Sequence, residues 1–460
     1  MSEIMSNTVQ KTSRRSGLIL GLSVTSNGSH TSGWRYPGAP ADSSLDIDFW
    51  QDLARRAEAA KIHFVFFADG AAVRQGGDQP EALRYIGKVD QFEPLTLISA
   101  LSTGTKHIGF IATASTTYNE PYTVARKYAS IDYISKGRVG WNVVTSWSEA
   151  EAKNFNLDHS LEHGLRYRRA SEFVDVVFKL WNSWEDGAFL RDQASGEYLD
   201  PSKLHIPNHK GEFFSVKGPL NVARPIQGFP VIAQAGSSEP GQQLAARTAD
   251  LVYTAQQSFD SSRHFYEGLK ARLGAVGRDP DSVKVLPGIL PIIGRTRAQA
   301  EERHQKLRSL IHPAVVYAML EPKFGDMSGY PLDGPIPDLP ETNGIKSIKA
   351  QLDAARAKGL TIRELYETSG AGGHRQIVGT AEEIADLIEE WFVGEACDGF
   401  NIMPPYFIEG LQDIFDLLIP ELQRRGLFHS DYEGQSLREN LGLERPSHPS
   451  SNTRAITAAE

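Results

Sequence analysis

Short apolar runs alternate with longer amphipathic stretches along most of the chain, and this alternation is the main structural signal in the sequence. Eight of the runs have the length and the β-branched or aromatic content of buried strands, and most are followed by a helical pattern. The predicted strands are residues 17–24, 64–68, 107–112, 138–144, 230–234, 251–254, 283–293 and 399–403. The predicted helices are residues 45–60, 94–102, 121–134, 161–181, 242–248, 261–273, 299–310, 381–392 and 411–424.

Alternating strands and helices predict a parallel sheet, and eight such units are the number that closes a TIM (β/α)8 barrel. A doubly wound sheet would need a glycine-rich phosphate loop after the first strand. That strand instead runs into SVTSNGSHTSGW, which has no G-x-G-x-x-G pattern. We therefore predict an α/β fold with one barrel domain over residues 17–445, between disordered tails at 1–16 and 446–460.

Two segments interrupt the alternation. Residues 185–228 are rich in Gly, Pro and polar residues and are predicted to form an excursion with one or two hairpins. Residues 312–368 carry six prolines before position 341, which predicts a long, partly rigid loop. Because a structureless loop of that length inside a compact domain is usually functional, we expect this insertion to be a lid.

Polar residues follow most of the predicted strands. The active site of a TIM barrel lies at the carboxyl ends of its strands, so these residues are expected to converge there. Each has an ordinary alternative taken singly; Asp69, for example, fits a turn or a helix cap. Together they predict a ligand site; in chain order they are His30, Trp34, Asp69, Thr113, Asn142, Ser237, Ser238 and Gln256.

The helix after the fifth strand begins with Ser237-Ser238-Glu239-Pro240-Gly241. Free amides and serine hydroxyls at a helix start bind phosphate well, although a simple N-cap explains the segment equally. His163 and Tyr167 lie four residues apart on the helix after the fourth strand, and therefore on one face. Because neighbouring strands place these two helix starts side by side, the sequence predicts a phosphate site between them.

Composition and charge indicate in which compartment the protein works and which classes of partner it does not bind. The net charge is −9, from 48 Lys and Arg against 57 Asp and Glu, which argues against a nucleic-acid-binding or lipid-facing surface. Lys11, Arg14 and Arg15 are followed by no apolar h-region before Gly17, so we expect no secretory signal, and no run approaches the length of a transmembrane helix. The single cysteine, Cys397, excludes internal disulfides. We expect a cytoplasmic protein.

The sequence gives little support for a metal site or for a catalytic nucleophile. His159 with His163, and His205 with His209, have the i, i+4 spacing of a zinc pair on a helix. Neither pair has the Glu of an H-E-x-x-H motif. No G-x-S-x-G elbow occurs, and Cys397 precedes the eighth strand, at the wrong end of the barrel. We predict no metal site.

Several motifs, in the same order along the chain, resemble one enzyme family. The strongest are WNVVTS (141–146), AKNF (152–155), LEHGLRY (161–167) and QAGSSEPG (234–241). Supporting motifs are FFADG (66–70), STTYNEPY (115–122), SGYPLDGPIPD (328–338), GHRQIVGT (373–380), DGFNIMPP (398–405), PELQRRGLF (420–428) and LRENLGL (437–443). Over residues 17–445 the chain resembles the two-component, flavin-dependent monooxygenases of the bacterial luciferase superfamily. The subgroup is that of nitrilotriacetate, dibenzothiophene-sulfone and long-chain alkane monooxygenases.

The resemblance implies a TIM barrel that binds reduced FMN (FMNH₂), reacts it with O₂ and oxygenates a small organic substrate. The positions that it assigns to the cofactor are Asp69, Thr113, Asn142, His163, Tyr167, Ser237 and Ser238. It places His30 and His312 as catalytic groups, and it places Trp34 towards the substrate. Phe67 is expected to add apolar surface there.

The chain has no dinucleotide fingerprint, so the resemblance implies a separate NAD(P)H:FMN reductase that supplies FMNH₂. It also implies a homodimer or a homotetramer. Arg35 and Arg375 are the cations that the sequence offers at the substrate mouth, against Phe66, Phe67 and Trp34. That balance favours a neutral, apolar or aromatic substrate such as an organosulfur compound.

Two alternatives remain on the same barrel. One is a hydride-transfer oxidoreductase that uses a deazaflavin-type cofactor, which O₂ consumption would distinguish. The other is a flavin-binding protein without turnover, for which a full-length lid would have no use.

Overall fold

Eight parallel strands close into a barrel, and most of the residues predicted to bind a ligand lie at the carboxyl ends of these strands. The structure is a computed structural model that describes residues 17–73, 80–236, 238–338, 346–370 and 374–451. The strands are β1 Ile19–Val24, β2 Phe64–Phe67, β3 Gly109–Ser115, β4 Val139–Val144, β5 His209–Lys210, β6 Ser215–Val216, β7 Val231–Ala235, β8 Leu251–Thr254, β9 Lys284–Ile293, β10 Arg375–Gly379 and β11 Gly399–Ile402. The barrel order is β1-β2-β3-β4-β7-β8-β9-β11, and β11 pairs again with β1, so the predicted TIM barrel is confirmed.

Helices cover the outside of the barrel. They are α1 Ile47–Ala59, α2 Pro80–Leu83, α3 Pro94–Thr103, α4 Pro121–Ile134, α5 Glu149–Asn154, α6 His163–Trp181, α7 Glu239–Thr248, α8 Phe259–Ala275, α9 Arg297–Ser309, α10 Pro313–Phe324, α11 Lys346–Ala357, α12 Ile362–Gly370, α13 Ala381–Val393, α14 Glu409–Asp413, α15 Ile419–Arg424 and α16 Leu437–Asn440. A π-helical turn, Ile414–Leu418, joins α14 to α15, so the single helix predicted over 411–424 is interrupted. None of the described helices is long and apolar enough to cross a membrane.

The barrel strands are buried on both faces, which is why they appear in the sequence as nearly continuous apolar runs. Alternate side chains point into the barrel and outwards to the helices. In β2, Phe64 and Phe66 join the interior cluster, whereas Val65 and Phe67 pack against the helices. The outer core between the strands and helices is the larger one and contains the buried Trp50, Trp141 and Trp181.

One strand of the sheet, β10, was not predicted from the sequence. β10 pairs with the second half of β9, from Arg375 opposite Ile289 to Gly379 opposite Ile293, while β8 pairs with the first half of β9. β10 therefore extends the sheet beyond the carboxyl end of the barrel. It has only two strongly apolar residues, Ile377 and Val378, so its sequence carries no clear strand pattern.

The insertion predicted as a structureless loop over 312–368 is mainly helical, and that prediction was wrong. It forms α10, α11 and α12, which share a hydrophobic cluster that includes Val316, Leu320, Leu365 and Tyr366. Pro313 occupies the first turn of α10, where a proline costs nothing, so the proline content was misleading. We call residues 311–338 and 346–370 the lid.

The excursion at 185–228 contains the predicted hairpin, β5 paired with β6. The disordered tail predicted from residue 446 was wrong for residues 446–451, which pack against this excursion. The Arg224 guanidinium donates to the Pro446 carbonyl at 2.7 Å, and the buried His448 ring lies 3.0 Å from the Asn182 carbonyl. Residues 1–16 and 452–460, predicted as tails, lie outside the described residues.

The end of the barrel opposite the strands' carboxyl ends is closed by α16 and the residues that follow it. Leu437, Leu441 and Leu443 belong to the same cluster as the interior-facing strand residues. Between them, the buried Arg438 guanidinium forms two bonds to the Asp250 carboxylate, at 3.1 and 2.7 Å. This C-terminal plug leaves the carboxyl end as the open face of the barrel.

Candidate functional site

A chain of hydrogen bonds crosses the carboxyl ends of three adjacent strands. The Thr113 hydroxyl donates to the Phe67 carbonyl at 2.9 Å, and Asn142 Nδ2 donates to Thr113 Oγ1 at 2.9 Å. Strand pairing places Thr113 directly opposite Asn142. Both side chains are buried, and they share the face of Ile111, which points into the barrel.

The same interior holds polar atoms that have no protein partner among the described residues. These are Asn142 Oδ1, Asn401 Oδ1 and the Tyr253 hydroxyl. Burial raises the pKa of Tyr253 well above its usual range, so the hydroxyl keeps its proton. We call Thr113, Asn142, Tyr253 and Asn401 the interior polar cluster. Buried polar groups are normally bonded, so this cluster indicates a place for a polar ligand.

Aromatic and imidazole rings border the interior polar cluster. The Phe66 ring lies edge-on to the Tyr253 ring, with 4.5 Å between their centroids. The His374 ring occupies the space beside Gly288, where an added Cβ would lie 2.2 Å from Nδ1. Glycine at position 288 thus lets His374, the first described residue after the lid, reach the barrel wall.

The predicted meeting of the helix starts after β4 and β7 is present in the structure. Ser238 is the N-cap of α7, with its hydroxyl oxygen accepting from the Gly241 amide at 3.3 Å, and that hydroxyl lies 3.3 Å from the Tyr167 hydroxyl. His163 begins α6, and its ring centroid is 5.0 Å from that of Tyr167. His163 is exposed and Tyr167 half-buried. Ser237 lies outside the described residues.

Two glycines lie at this corner. A Cβ added at Gly241 would lie 3.0 Å from both the Tyr167 and the Ser238 hydroxyl oxygens. Gly236 has φ of +132°, a conformation that favours glycine. The corner therefore combines three side-chain donors with the amino end of a ten-residue helix, and glycine at position 241 lets the two hydroxyls lie close to the helix backbone.

The loop after β1, residues 25–36, which we call the first loop, carries His30. Its Nδ1 lies 3.0 Å from Ser32 Oγ and accepts from the Ser32 amide at 3.2 Å. Burial lowers the pKa of His30 to about 3, with smaller contributions from the charges of Lys88 and His304. His30 is therefore neutral at physiological pH.

The lid brings His312 to the same side of the barrel. His312 is the N-cap of α10, and its ring stacks on Tyr85 with 3.4 Å between the centroids. The Thr31 hydroxyl contacts the Tyr366 hydroxyl, so α12 is also tied to the first loop. The two predicted catalytic histidines thus both lie where the lid meets the first loop, and their catalytic roles stay predictions.

Three further predicted site residues in the described part of the chain are Asp69, Trp34 and Phe67. Asp69 follows β2, and its Oδ1 accepts from Gln91 Nε2 at 2.7 Å. Trp34 lies against Gly87, and its buried Nε1 has no partner among the described residues. The Phe67 ring packs against Trp50 on the outer face, so Phe67 reaches the site through its carbonyl oxygen. Phe66 supplies the aromatic ring inside the barrel.

The second histidine pair considered for zinc, His205 with His209, does not converge. His205 Nε2 lies 2.8 Å from the Glu185 carboxylate, whereas His209 Nε2 lies 2.9 Å from Glu172. Among the described residues, Glu185, His205 and His448 form the one group whose ligand atoms lie within 4.8 Å of one another. The His448 ring already bonds the Asn182 carbonyl and Ser450, so hydrogen bonds account for this group.

Four residues at this end of the barrel were not predicted from the sequence: Tyr253, Asn401, His374 and Lys88. Tyr253 and Asn401 are polar residues at strand ends, the signal that identified Thr113 and Asn142. His374 lies in a motif noted only for its family resemblance. Lys88 lies in a polar loop with no sequence signal of its burial.

Comparison with known proteins agrees with this geometry. Residues 26–396 match the family model of luciferase-like monooxygenases. The chain is 48% identical over 437 residues to nitrilotriacetate monooxygenase component A of Aminobacter aminovorans, covering 93% of this chain and 96% of that protein. It is 46% identical over 441 residues to N-acetyl-S-(2-succino)cysteine monooxygenase of Bacillus subtilis, covering 95% and 98%.

Among solved structures, the long-chain alkane monooxygenase LadA superposes with a TM-score of 0.81 at 32% identity, covering 92% of this chain and 95% of that one. Fold, motifs and comparisons agree over nearly the whole chain. The chain therefore belongs to the luciferase-like monooxygenase family, and it is a flavin-dependent monooxygenase.

Proposed function

We propose that the protein binds FMNH₂ at the carboxyl end of the barrel and uses O₂ to oxygenate a small organic substrate. The bound cofactor would supply the oxygen chemistry, while the protein supplies binding, orientation and exclusion of water. A separate NAD(P)H:FMN reductase, a homodimeric or homotetrameric assembly and a cytoplasmic location belong to this proposal.

The observation that carries the proposal is the interior polar cluster. A reduced flavin ring offers N–H donors and carbonyl acceptors, and the cluster offers both complements. Asn142 Oδ1 and Asn401 Oδ1 accept, and the protonated Tyr253 hydroxyl donates. An unsatisfied buried polar group costs about 1–3 kcal/mol. A ligand that bonds these atoms recovers that free energy, so the site is suited to the ring of the cofactor.

The corner formed by His163, Tyr167 and Ser238 would hold the phosphate of FMN. Its donors and the amino end of α7 match an anion, and Gly241 allows the Tyr167 and Ser238 hydroxyls to approach that helix end. The corner lies across the ends of β4 and β7, which pair directly, and β4 also carries Asn142. One cofactor can therefore span the interior polar cluster and this corner.

The lid supports a reaction that must exclude bulk water. It is fastened on the side of the first loop by the Tyr366–Thr31 contact and by an ion pair of 2.7 Å between Arg308 and Glu367. His30, kept neutral by burial, lies in the first loop, and His312 is carried by the lid itself; both would face the reacting part of the substrate.

We call the corner formed by His163, Tyr167 and Ser238 the phosphate corner. Removing two of its donors should weaken cofactor binding. In the His163→Ala/Tyr167→Phe variant we expect the dissociation constant of FMNH₂ to rise by about 10- to 100-fold, because two bonds to a charged group are lost. Anaerobic fluorescence titration measures this, and Arg168→Ala, an exposed change on the same helix, is the control. An unchanged affinity with intact circular dichroism would refute the phosphate assignment.

Family membership leaves the substrate open, since the relatives' names range from nitrilotriacetate to long-chain alkanes. The cofactor step is testable without a substrate. The protein is titrated with FMNH₂ under nitrogen and then mixed with O₂, and the return of oxidised flavin and the yield of H₂O₂ are recorded. Binding followed by reoxidation slower than that of free FMNH₂ is expected. Absence of binding, or immediate stoichiometric peroxide, would contradict the proposal.

A further inference from the structure

A lysine beside the first loop has a buried charge with no acidic partner. Lys88 Nζ donates to the Ser29 carbonyl at 2.8 Å, and within the described residues no carboxylate lies within ion-pair distance of it. The residue keeps some accessible surface, yet burial of the ammonium group lowers the pKa of Lys88 to about 8. A buried ammonium without a counter-charge is unfavourable for folding, so its presence calls for a functional explanation.

Other donors without partners lie on the loop that Lys88 contacts. The Ser26 and Ser29 hydroxyls and the Trp34 Nε1 are buried and have no hydrogen-bond partner among the described residues. Trp34 packs against Gly87, the neighbour of Lys88 in the chain, where an added Cβ would meet the indole at 2.5 Å. One cation, bonded only to a backbone carbonyl, and three donors without acceptors among the described residues thus lie on or beside the first loop.

The segment that carries Lys88 runs across the mouth of the barrel. Tyr85 stacks on His312 of the lid, and Asn27 Nδ2 of the first loop donates to the Gly87 carbonyl at 2.7 Å. Gln91 donates to Asp69, directly after β2. Lys88 therefore lies beside the carboxyl ends of β1 and β2 and next to the lid. The phosphate corner, at the ends of β4 and β7, is on another side of the barrel.

The other cations near this mouth already have partners. Arg35 donates to the Leu310 carbonyl, and Arg375 donates to the Gln257 carbonyl at 2.6 Å. Arg308 pairs with Glu367, and Arg363 pairs with Asp333. His30 is neutral, and Lys88 is the cation at this mouth whose ammonium group is buried with only a backbone carbonyl as its partner among the described residues.

We propose that the substrate carries a carboxylate, and that Lys88 binds it with the help of donors on the first loop. The inference rests on the proposed function and names the substrate class for that same site. One ammonium matches the single charge of a carboxylate, and the hydroxyl and indole donors match its remaining lone pairs. A carboxylate substrate differs from the neutral substrate expected from the sequence, which would offer no negative charge to Lys88.

The test compares carboxylic acids with their neutral amides. Dissociation constants for nitrilotriacetate and nitrilotriacetamide, and for (benzylthio)acetate and (benzylthio)acetamide, are measured by calorimetry with the FMNH₂-loaded protein under nitrogen. We expect the wild type to bind at least one acid about 30-fold more tightly than its amide. Lys88→Met should reduce that preference to less than about threefold, without changing the affinity for the amide.

Two further variants and one control measurement complete the design. Lys88→Gln keeps an N–H donor for the Ser29 carbonyl but removes the charge, and should behave like Lys88→Met. Lys127→Met removes an exposed lysine on α4 and should retain the preference. Thermal unfolding should show no loss of stability in Lys88→Met, because an uncompensated buried charge is removed.

Three results would overturn the inference: no acid preferred over its amide by the wild type, an undiminished preference in both Lys88 variants, or weaker FMNH₂ binding in them. The last would mean that the ammonium faces the cofactor. Because FMNH₂ affinity is measured separately, a wild type that fails to bind FMNH₂ would instead refute the proposed function.

Discussion

Replacing Asn142 with leucine should weaken the binding of FMNH₂ by about 10- to 100-fold while leaving the barrel folded. Asn142 Oδ1 is a buried acceptor with no partner among the described residues, and its Nδ2 bonds only the Thr113 hydroxyl. Leucine has nearly the same shape but cannot accept a hydrogen bond from the cofactor. Without ligand, it also removes an unsatisfied polar atom, so the free energy of unfolding should stay equal or rise.

The variant is expected to bind FMNH₂ more weakly without losing stability. This combination distinguishes a cofactor-binding residue from a structural one. Anaerobic titration with FMNH₂ gives the affinity, and urea unfolding gives the stability. Asn221→Leu, an exposed change on the excursion at 185–228, should alter neither. If Asn142→Leu bound FMNH₂ normally and unfolded more easily, Asn142 would be a structural residue and the interior polar cluster would not hold the cofactor.

Replacing Arg438 with methionine should lower the free energy of unfolding by about 3–5 kcal/mol, because it leaves the Asp250 carboxylate buried without its cation. The Arg438 guanidinium bonds both Asp250 oxygens and also the Phe229 carbonyl, at 2.9 Å. Both side chains are buried. Loss of this pair should loosen the C-terminal plug and make it sensitive to protease before the barrel unfolds.

The control for this variant is Arg424→Met. Arg424 pairs with Glu421 and its side chain is 70% exposed, while Arg425 also pairs with that carboxylate, so the loss of Arg424 should cost less than about 1 kcal/mol. Adding Asp250→Asn to Arg438→Met should restore part of the lost stability, since the unpaired charge is then removed. Equal, small effects of Arg438→Met and Arg424→Met would show that the plug does not depend on the buried pair.

The eight barrel strands could be predicted because each is buried on both faces and appears as an apolar run between turns. Their observed bounds differ from the predicted ones by a few residues at most; the third strand, for example, is Gly109–Ser115 rather than 107–112. β10 could not be found in this way, because it is formed by pairing with the outer half of β9 and not by its own apolar pattern. The lid helices were obscured by prolines, one of which begins α10.

The candidate site was predictable where residue type and strand position coincide. Thr113 and Asn142 were found at the ends of neighbouring strands, and His163 and Tyr167 through helix spacing. Phe67 was assigned to the substrate although its ring faces Trp50, because strand phase decides which of two adjacent phenylalanines points inwards. Lys88 was missed because a lysine in a polar loop is usually exposed.

By itself, the sequence determined the barrel, the family and the strand ends at which the proposed cofactor site lies, since these follow from local periodicity and from motifs of adjacent residues. Only the tertiary structure decided which polar atoms remain without partners and where the lid meets the first loop. It also decided that the Lys88 ammonium group is buried and that no carboxylate among the described residues pairs with it. These properties depend on residues far apart in the chain, such as Ser29 with Lys88 or Thr31 with Tyr366, and no local pattern encodes their distance.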